Sequence, residues 1–342
     1  MKIINKVLYI TTDNLVLHCH NKTITLTLNE EEKLRIPISL LEEIVIFGNT
    51  MISNYVIKEC NENNVIISYV SVYGNFCGRF YGKTNGNILL RKKQYEIYDN
   101  MEKRTEIVKN IILGKFINSK NVLIRVSRDC NDSNKKNNLI EAANKINSHI
   151  SLLKNMNNID SIRGLEGAVA TIYFNVFDYM LKIEDDNMLF KKRSKRPPQN
   201  NCNAILSLLY TLLTLNINSA LETFGLDSSL GYMHTLKPGR ASLSLDLIEE
   251  LRAPIVDKFI ITLINRKQLT SNDFENGIEG IRLKDNSLKR ILKLWEEHKD
   301  TEIIHPLYNE KTKIKIIPYL QAQLLAQHIR GDIPQYPPFK WR

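Results

Sequence analysis

The sequence predicts an α+β, multidomain chain: a small β-sandwich-like domain at the N-terminus, then a larger helical domain. Three observations carry this reading. The first eighty-odd residues are short apolar runs, several alternating with period two, separated by turn residues. A polar break, Lys83-Thr84-Asn85-Gly86-Asn87, follows them. Beyond it the apolar residues fall at helical spacing through most of the 342-residue chain. The expected domains are therefore 1–84 and 85–342.

In the first domain, Lys6 to Ile10 reads as a strand, as do Leu15 to His18 and the alternating run Thr23 to Leu28. Asn21-Lys22 between the last two suits a hairpin turn. Leu34 to Ile38, Ile44 to Phe47 and Val65 to Val70 are further strands, and Asn49 to Asn61 suits a short helix. Gly74, Gly78 and Gly82 mark turns or tight packing. In the second domain, helical patterns cover Leu89 to Glu106, continue from Ile107 to Ser127, and resume at Leu139 to Lys154 after a polar connection. A helix from about Ile162 to Lys182 carries Glu166, with Asp160 or Ser161 as its N-cap. Ala204 to Phe224 is a strongly apolar core helix closed by Gly225. Leu243 to Glu250 begins a helix that Pro254 must bend or restart, and later helices cover Asp257–Ile264, Ser287–Lys299 and Pro318–Ile329.

Lys plus Arg is 47 against 37 for Asp plus Glu, a net charge of +10, which favours a polyanionic partner. The five cysteines are scattered with no C-x-x-C pair, which argues against a disulfide framework or zinc cluster and fits a reducing cytoplasm. No N-terminal apolar run resembles a secretory signal, and no membrane span is expected. Phosphate-binding G-x-x-x-x-G-K-[ST], G-x-G-x-x-G and the hydrolase element G-x-S-x-G are all missing.

Residues 225–252 hold the densest chemistry. His234 lies in a glycine-bounded loop; Lys237 and Arg240 follow, then Asp246, Glu249 and Glu250 in an apolar run. On a helix Asp246 and Glu249 share a face, and Glu250 takes the other near-neighbour position. Upstream, Glu166 sits among small residues, Gly164, Gly167, Ala168 and Ala170, which let another element approach closely. Taken singly, each group has a plain structural reading: a surface glutamate, a hydrogen-bonded loop histidine, a solvated acidic face. Together, a histidine and carboxylates suit Mn²⁺, or Mg²⁺ completed by water, in phosphodiester chemistry. Lys237, Arg240 and Arg252, and the run Lys191 to Arg196, are candidates for phosphate contacts.

Five pieces, in order, resemble the CRISPR-associated adaptation integrase, the Cas-one endonuclease family: GNILLRKKQY at 86–95, RGLEGAVATIYF at 163–174, KKRSKRPPQNNCNAILSLLYTLL at 191–213, residues 225–260, and PYLQAQLLAQHIRGDIPQY at 318–336. The RPP…N…ILS segment and the Q…RGD…Y tail look most like the type I-C branch. The resemblance implies an N-terminal β-domain joined to an all-α catalytic domain. It implies a homodimer assembling with a small ferredoxin-like adaptation subunit into a heterohexamer, which serves antiviral defence by inserting short double-stranded foreign DNA into the CRISPR array. Each 3′-hydroxyl would attack a repeat phosphodiester. The implied ligands of Mg²⁺ or Mn²⁺, which are also the catalytic residues, are Glu166, His234 and Glu249, the last being Asp in some relatives, with Asp246 as a supporting acid. DNA contacts are expected from Lys192, Arg193, Lys195, Arg196, Lys237, Arg240 and Arg252. The competing expectation is an inactive DNA-binding scaffold, against which the three retained ligands argue.

Overall fold

The computed structural model describes residues 6–80, 87–183, 185–192, 198–278 and 280–341. The chain divides into two compact units, Met1–Asn85 with Phe274–Leu294, and Gly86–Asp273 with Trp295–Arg342. The segment Phe274–Leu294, assigned by sequence to the helical domain, thus belongs with the β-rich one.

The first unit contains β1 (Lys6–Ile10), β2 (Leu15–His20), β3 (Thr23–Leu28), β4 (Glu31–Pro37), β5 (Leu41–Phe47), β6 (Thr50–Ile52), α1 (Asn54–Glu62), β7 (Ile66–Val70) and β8 (Phe76–Phe80). The strands form two four-stranded sheets, ordered β1-β5-β7-β8 and β4-β3-β2-β6. Alternation places Leu17, Ile24, Ile44, Ile46 and Ile67 in one buried cluster with Val56 and Cys60 of α1. Asn21 and Lys22 both take positive φ, as a tight hairpin between β2 and β3 requires. The stretch expected as one helix from Asn49 splits into β6 and α1, because Ser53 caps α1 through the Val56 N–H. Gly74 has φ +79° in a turn, Gly78 lies within β8 facing open space, and Gly82 falls outside the described residues. A later hairpin, β9 (Phe274–Gly277) and β10 (Gly280–Leu283), completes this unit. Gly277 packs on Tyr73: a Cβ there would lie 2.5 Å from its hydroxyl, so the ring would have to shift to accept one.

The second unit is built on α2 (Ile88–Asp99), α3 (Met101–Arg128), α4 (Ser133–Lys154), α5 (Ile159–Asn175), α6 (Asn201–Thr223), α7 (Ser242–Leu247) and α8 (Lys258–Asn265). Helix α9 (Asp285–Lys299) enters it at Trp295, and β11 (Glu302–Ile304), β12 (Lys311–Lys313) and α10 (Ile317–Arg330) follow. The helical run from Leu89 breaks at Asn100, whose side chain caps α3 at Lys103 N–H. Asp132 starts α4 inside what sequence read as a connection, and Asn158, not Asp160 or Ser161, caps α5. Helix α5 ends at Asn175, and a separate 3₁₀ turn, Phe177–Met180, follows where one helix was expected. Among the described residues, α6 is long and apolar enough to cross a membrane, and 72% of that stretch is buried in the unit.

After α7 the chain changes pitch: a 3₁₀ turn spans Ile248–Glu250 and a π turn spans Arg252–Asp257 before α8. Pro254 lacks the N–H that an α-helix would direct to the Glu250 carbonyl. Asn118 of α3 supplies the donor instead, its Nδ2 lying 2.7 Å from that oxygen. The Ile255 carbonyl in the π turn receives the His298 Nε2 at 3.0 Å. His298 is stacked on Phe259 with ring centroids 4.5 Å apart. Burial, with a smaller contribution from Lys258, lowers its pKa to about 4 against the opposing bond to Ile255. The unfolded chain therefore takes up a proton near pH 6.5 that the folded chain refuses until about pH 4, so this stabilisation is complete above 6.5 and lost as pH falls. Urea unfolding should show stability declining by up to about 1.4 kcal/mol per pH unit through this window. A His298→Gln variant should flatten that decline.

Candidate functional site

Helix α5 presents Glu166 on a partly open face: Gly164 and Gly167 are exposed, and a Cβ on either would meet nothing within 4 Å. The small residues thus leave Glu166 approachable from solvent, where a close helix crossing was expected. From the facing side α3 contributes Lys115, whose ammonium binds Glu166 Oε1 and lies 2.6 Å from Glu249 Oε2. Two carboxylates from separate elements thus meet on one cation. The second oxygen of Glu249 accepts from Arg252 Nη1 at 2.5 Å, and the Arg252 guanidinium lies 5.0 Å above the Tyr210 ring centre. Burial opposes ionisation of Glu249, but Arg252 and Lys115 outweigh it and hold the carboxyl well below the usual range. Burial likewise pulls the Lys115 ammonium down, and Glu249 and Glu166 more than offset it, so its pKa stands above the ordinary lysine value.

His234 is held by Asp246. That carboxylate is fully buried and accepts the backbone N–H groups of Tyr232, Met233 and His234 at 2.5, 3.0 and 2.9 Å, and the His234 Nδ1 at 2.6 Å. The bond to Nδ1 leaves Nε2 as the ring's lone-pair nitrogen. The loop is fixed from both sides: Arg163 of α5 donates to the Met233 carbonyl at 2.6 Å and Arg104 of α3 to that of Tyr232 at 2.7 Å. Gly231 is needed because a Cβ would lie 2.7 Å from Ser242 backbone. The imidazole lies within electrostatic range of Glu249.

The three acids expected on one helix face do three different things. Asp246 shapes the histidine loop and Glu249 meets Lys115. Glu250 turns away to accept from the Tyr336 hydroxyl, from Gln321 at 3.0 Å and from the Phe339 N–H at 2.8 Å, clasping the C-terminal tail. The helix-face argument fails because α7 stops at Leu247 and the 3₁₀ turn rotates the next side chains. Among the described residues, no three His, Cys, Asp or Glu side chains group around a common point where a metal ion could bind. Between Glu166 and Glu249 that place is taken by the Lys115 ammonium.

The sequence matches the family described as CRISPR associated protein Cas1 over residues 8–297. The chain belongs to the Cas1 family. A CRISPR-associated endonuclease Cas1 of Rhodospirillum rubrum is 38% identical over 346 residues, spanning 100% of this chain and 99% of that protein. The Cas1 fold also aligns with a Cas1 structure from Thermotoga maritima at TM-score 0.83, with 23% identity, 98% of this chain and 100% of the other. A casposase bound to its integration product aligns at TM-score 0.82, with 21% identity over 98% of this chain and 94% of the other.

Among the basic residues singled out in this Cas1-family sequence, Lys237 is exposed and Arg240 half-buried on the loop after His234, and Lys192 is exposed. Arg252, expected toward phosphate, is engaged by Glu249. Arg193, Lys195 and Arg196 lie outside the described residues. Lys115 was missed by sequence reasoning. Its signal was a lysine after Gly114, on a helix stretch otherwise buried through Ile111, Ile112 and Phe116. Gly114 itself packs so closely on Glu250 and Pro338 that a Cβ would approach each to 2.9 Å.

Proposed function

We propose that the chain is a metal-dependent DNA endonuclease and integrase of CRISPR adaptation, with Glu166, His234 and Glu249 holding Mg²⁺ or Mn²⁺. The observation that carries this is the convergence of Glu166 and Glu249 on one cation, Lys115, with an imidazole oriented by Asp246 within electrostatic range of Glu249. Two carboxylates and an imidazole nitrogen are a donor set suited to either ion. A bound metal would neutralise phosphate charge and stabilise the leaving oxygen of an in-line displacement.

The chain's own residues do the rest. Arg252 fixes the rotamer of Glu249 through its second oxygen, and Asp246 fixes the tautomer of His234. Lys115 holds the two acids together and, once they are otherwise engaged, is free to turn its charge toward a phosphate. Lys237 and Arg240 beside the site, with Lys192, Arg193, Lys195 and Arg196, would hold the DNA backbone. Attack by a 3′-hydroxyl exchanges one phosphodiester for another, so no nucleotide cofactor is required.

The relative's name, endonuclease, and the casposase with its integration product support DNA as substrate. By the same family reading the chain forms a homodimer, joins a small ferredoxin-like subunit in a heterohexamer, and belongs to the type I-C branch. Its five free thiols suit a reducing cytoplasm. Strand transfer into a repeat-containing plasmid with Mn²⁺ or Mg²⁺ tests the reading. The His234→Ala variant should lose at least about 10²-fold of the joining rate. Joining that persists in that variant would sink the metal-site proposal, and DNA binding without any joining by the wild type would favour the inactive scaffold.

A further inference from the structure

Glu249 and Glu250 are neighbours in the chain and both are buried, yet they serve different partners. They sit on a 3₁₀ turn that runs on into a π turn, and neither geometry is held by its own backbone bonds as firmly as an α-helix. Pro254 removes a further backbone donor. The direction of the Glu249 side chain is therefore set by what holds the turn from outside. On α3 two successive residues face it: Lys115 binds Glu249, and Gly114 lies against Glu250, where a Cβ would come within 2.9 Å of Oε2. Neighbouring residues on a 3₁₀ turn point about 120° apart, so the place of Glu250 fixes the aim of Glu249.

Three side chains outside the turn fix Glu250. Tyr336 donates its hydroxyl to Oε1, and Gln321 Nε2 donates to the same oxygen at 3.0 Å. Gln321 Nε2 also lies 2.7 Å from the Tyr336 hydroxyl, so the two donors brace each other. Asn118 closes the backbone side, with Nδ2 reaching the carbonyls of Glu250 at 2.7 Å and Phe339 at 2.8 Å, and Oδ1 accepting the backbone N–H of Trp341 at 2.8 Å. Asn118, Gln321 and Tyr336 are all fully enclosed. Stability alone does not call for a carboxylate here, since well-packed apolar side chains generally serve a buried position as well or better. A fully satisfied polar cluster adds one unique arrangement. We propose that Gln321 and Tyr336, with Asn118 behind them, are positioning residues for the reaction: by holding Glu250 they aim Glu249 at the metal site. They act through the turn and not on the reacting atoms. The inference rests on the reading of Glu249 as a metal ligand.

Mn²⁺ titration of the full-length protein, followed by the free-ion electron paramagnetic resonance signal, tests this without requiring catalysis. The Gln321→Leu/Tyr336→Phe variant keeps both side-chain volumes and removes both side-chain donors to Glu250. Its Mn²⁺ affinity should fall about 10–100-fold, as when the group orienting a ligand is lost. Its affinity for DNA in EDTA should stay at the wild-type value, because the phosphate contacts are untouched. Leu139→Ala, an apolar truncation at a buried position of α4, should lower the thermal melt and leave Mn²⁺ affinity unchanged. Tyr336→Phe alone, which removes a single oxygen, should show a smaller loss in the same direction and carries the test if the double variant does not fold. Wild-type Mn²⁺ affinity in the folded variant would overturn the proposal, as would an equal loss in Leu139→Ala, which would reduce the effect to global stability. If wild type and Glu249→Gln bind Mn²⁺ alike, the metal-ligand reading falls and this inference with it. If wild type binds, Glu249→Gln does not, and the Gln321→Leu/Tyr336→Phe variant binds as wild type does, this inference alone falls.

Discussion

Glu249→Gln should lower strand transfer by about 10³-fold, equivalent to ~4 kcal/mol of charge stabilisation at phosphorus. The carboxylate lies between Lys115 and Arg252 and is almost wholly buried. Glutamine keeps the volume and removes the charge, so both cations lose a partner and Glu166 with His234 is left one carboxylate short of the proposed donor set. Breaking a buried pair also costs stability, about 3–5 kcal/mol in comparable cases, so rates must be compared at temperatures where a melt shows both proteins folded. The conservative variant separates the two effects: Glu249→Asp keeps the carboxylate and should recover most of the rate. Recovery in the aspartate variant alone assigns the loss to ligation rather than packing.

Asp246→Ala should have the largest structural effect of any change at the site. Four donors converge on that one buried carboxylate, three of them backbone N–H groups of the histidine loop. Alanine leaves them without an acceptor, at about 1–3 kcal/mol for each group that water cannot reach. Urea unfolding should therefore show a loss of at least about 3 kcal/mol. Asp246→Asn is milder: it keeps the shape, alters the bond to Nδ1 and should lower strand transfer by about 10–100-fold, as expected when the group orienting a ligand is changed.

The β-rich unit was legible wherever pattern and turn chemistry agreed, as in the hairpin around Asn21-Lys22. Helix α6 was legible because its apolar composition and the glycine at 225 mark both its burial and its end. The β9–β10 hairpin was not, since its place with the first unit depends on contacts far apart in sequence. At the site, the candidate acids and the histidine could be picked out, but their division of labour could not. Asp246, Glu249 and Glu250 look equivalent at helical spacing, and only the change to 3₁₀ and then π geometry around Pro254 sends them to His234, Lys115 and Tyr336 in turn. Lys115 escaped notice because a lysine in an amphipathic helix normally reaches solvent. Here it is 11% exposed, and its partners lie 51 and 134 positions away.

Titration of Mn²⁺ into the full-length protein, followed by the loss of its free-ion electron paramagnetic resonance signal, tests the central claim most directly, because it reads the site without requiring catalysis. The wild type should bind one tight ion per chain, and Glu166→Gln and Glu249→Gln should each abolish that site. Tight binding retained in both variants, or missing from a folded wild type, would contradict a metal centre built on Glu166 and Glu249.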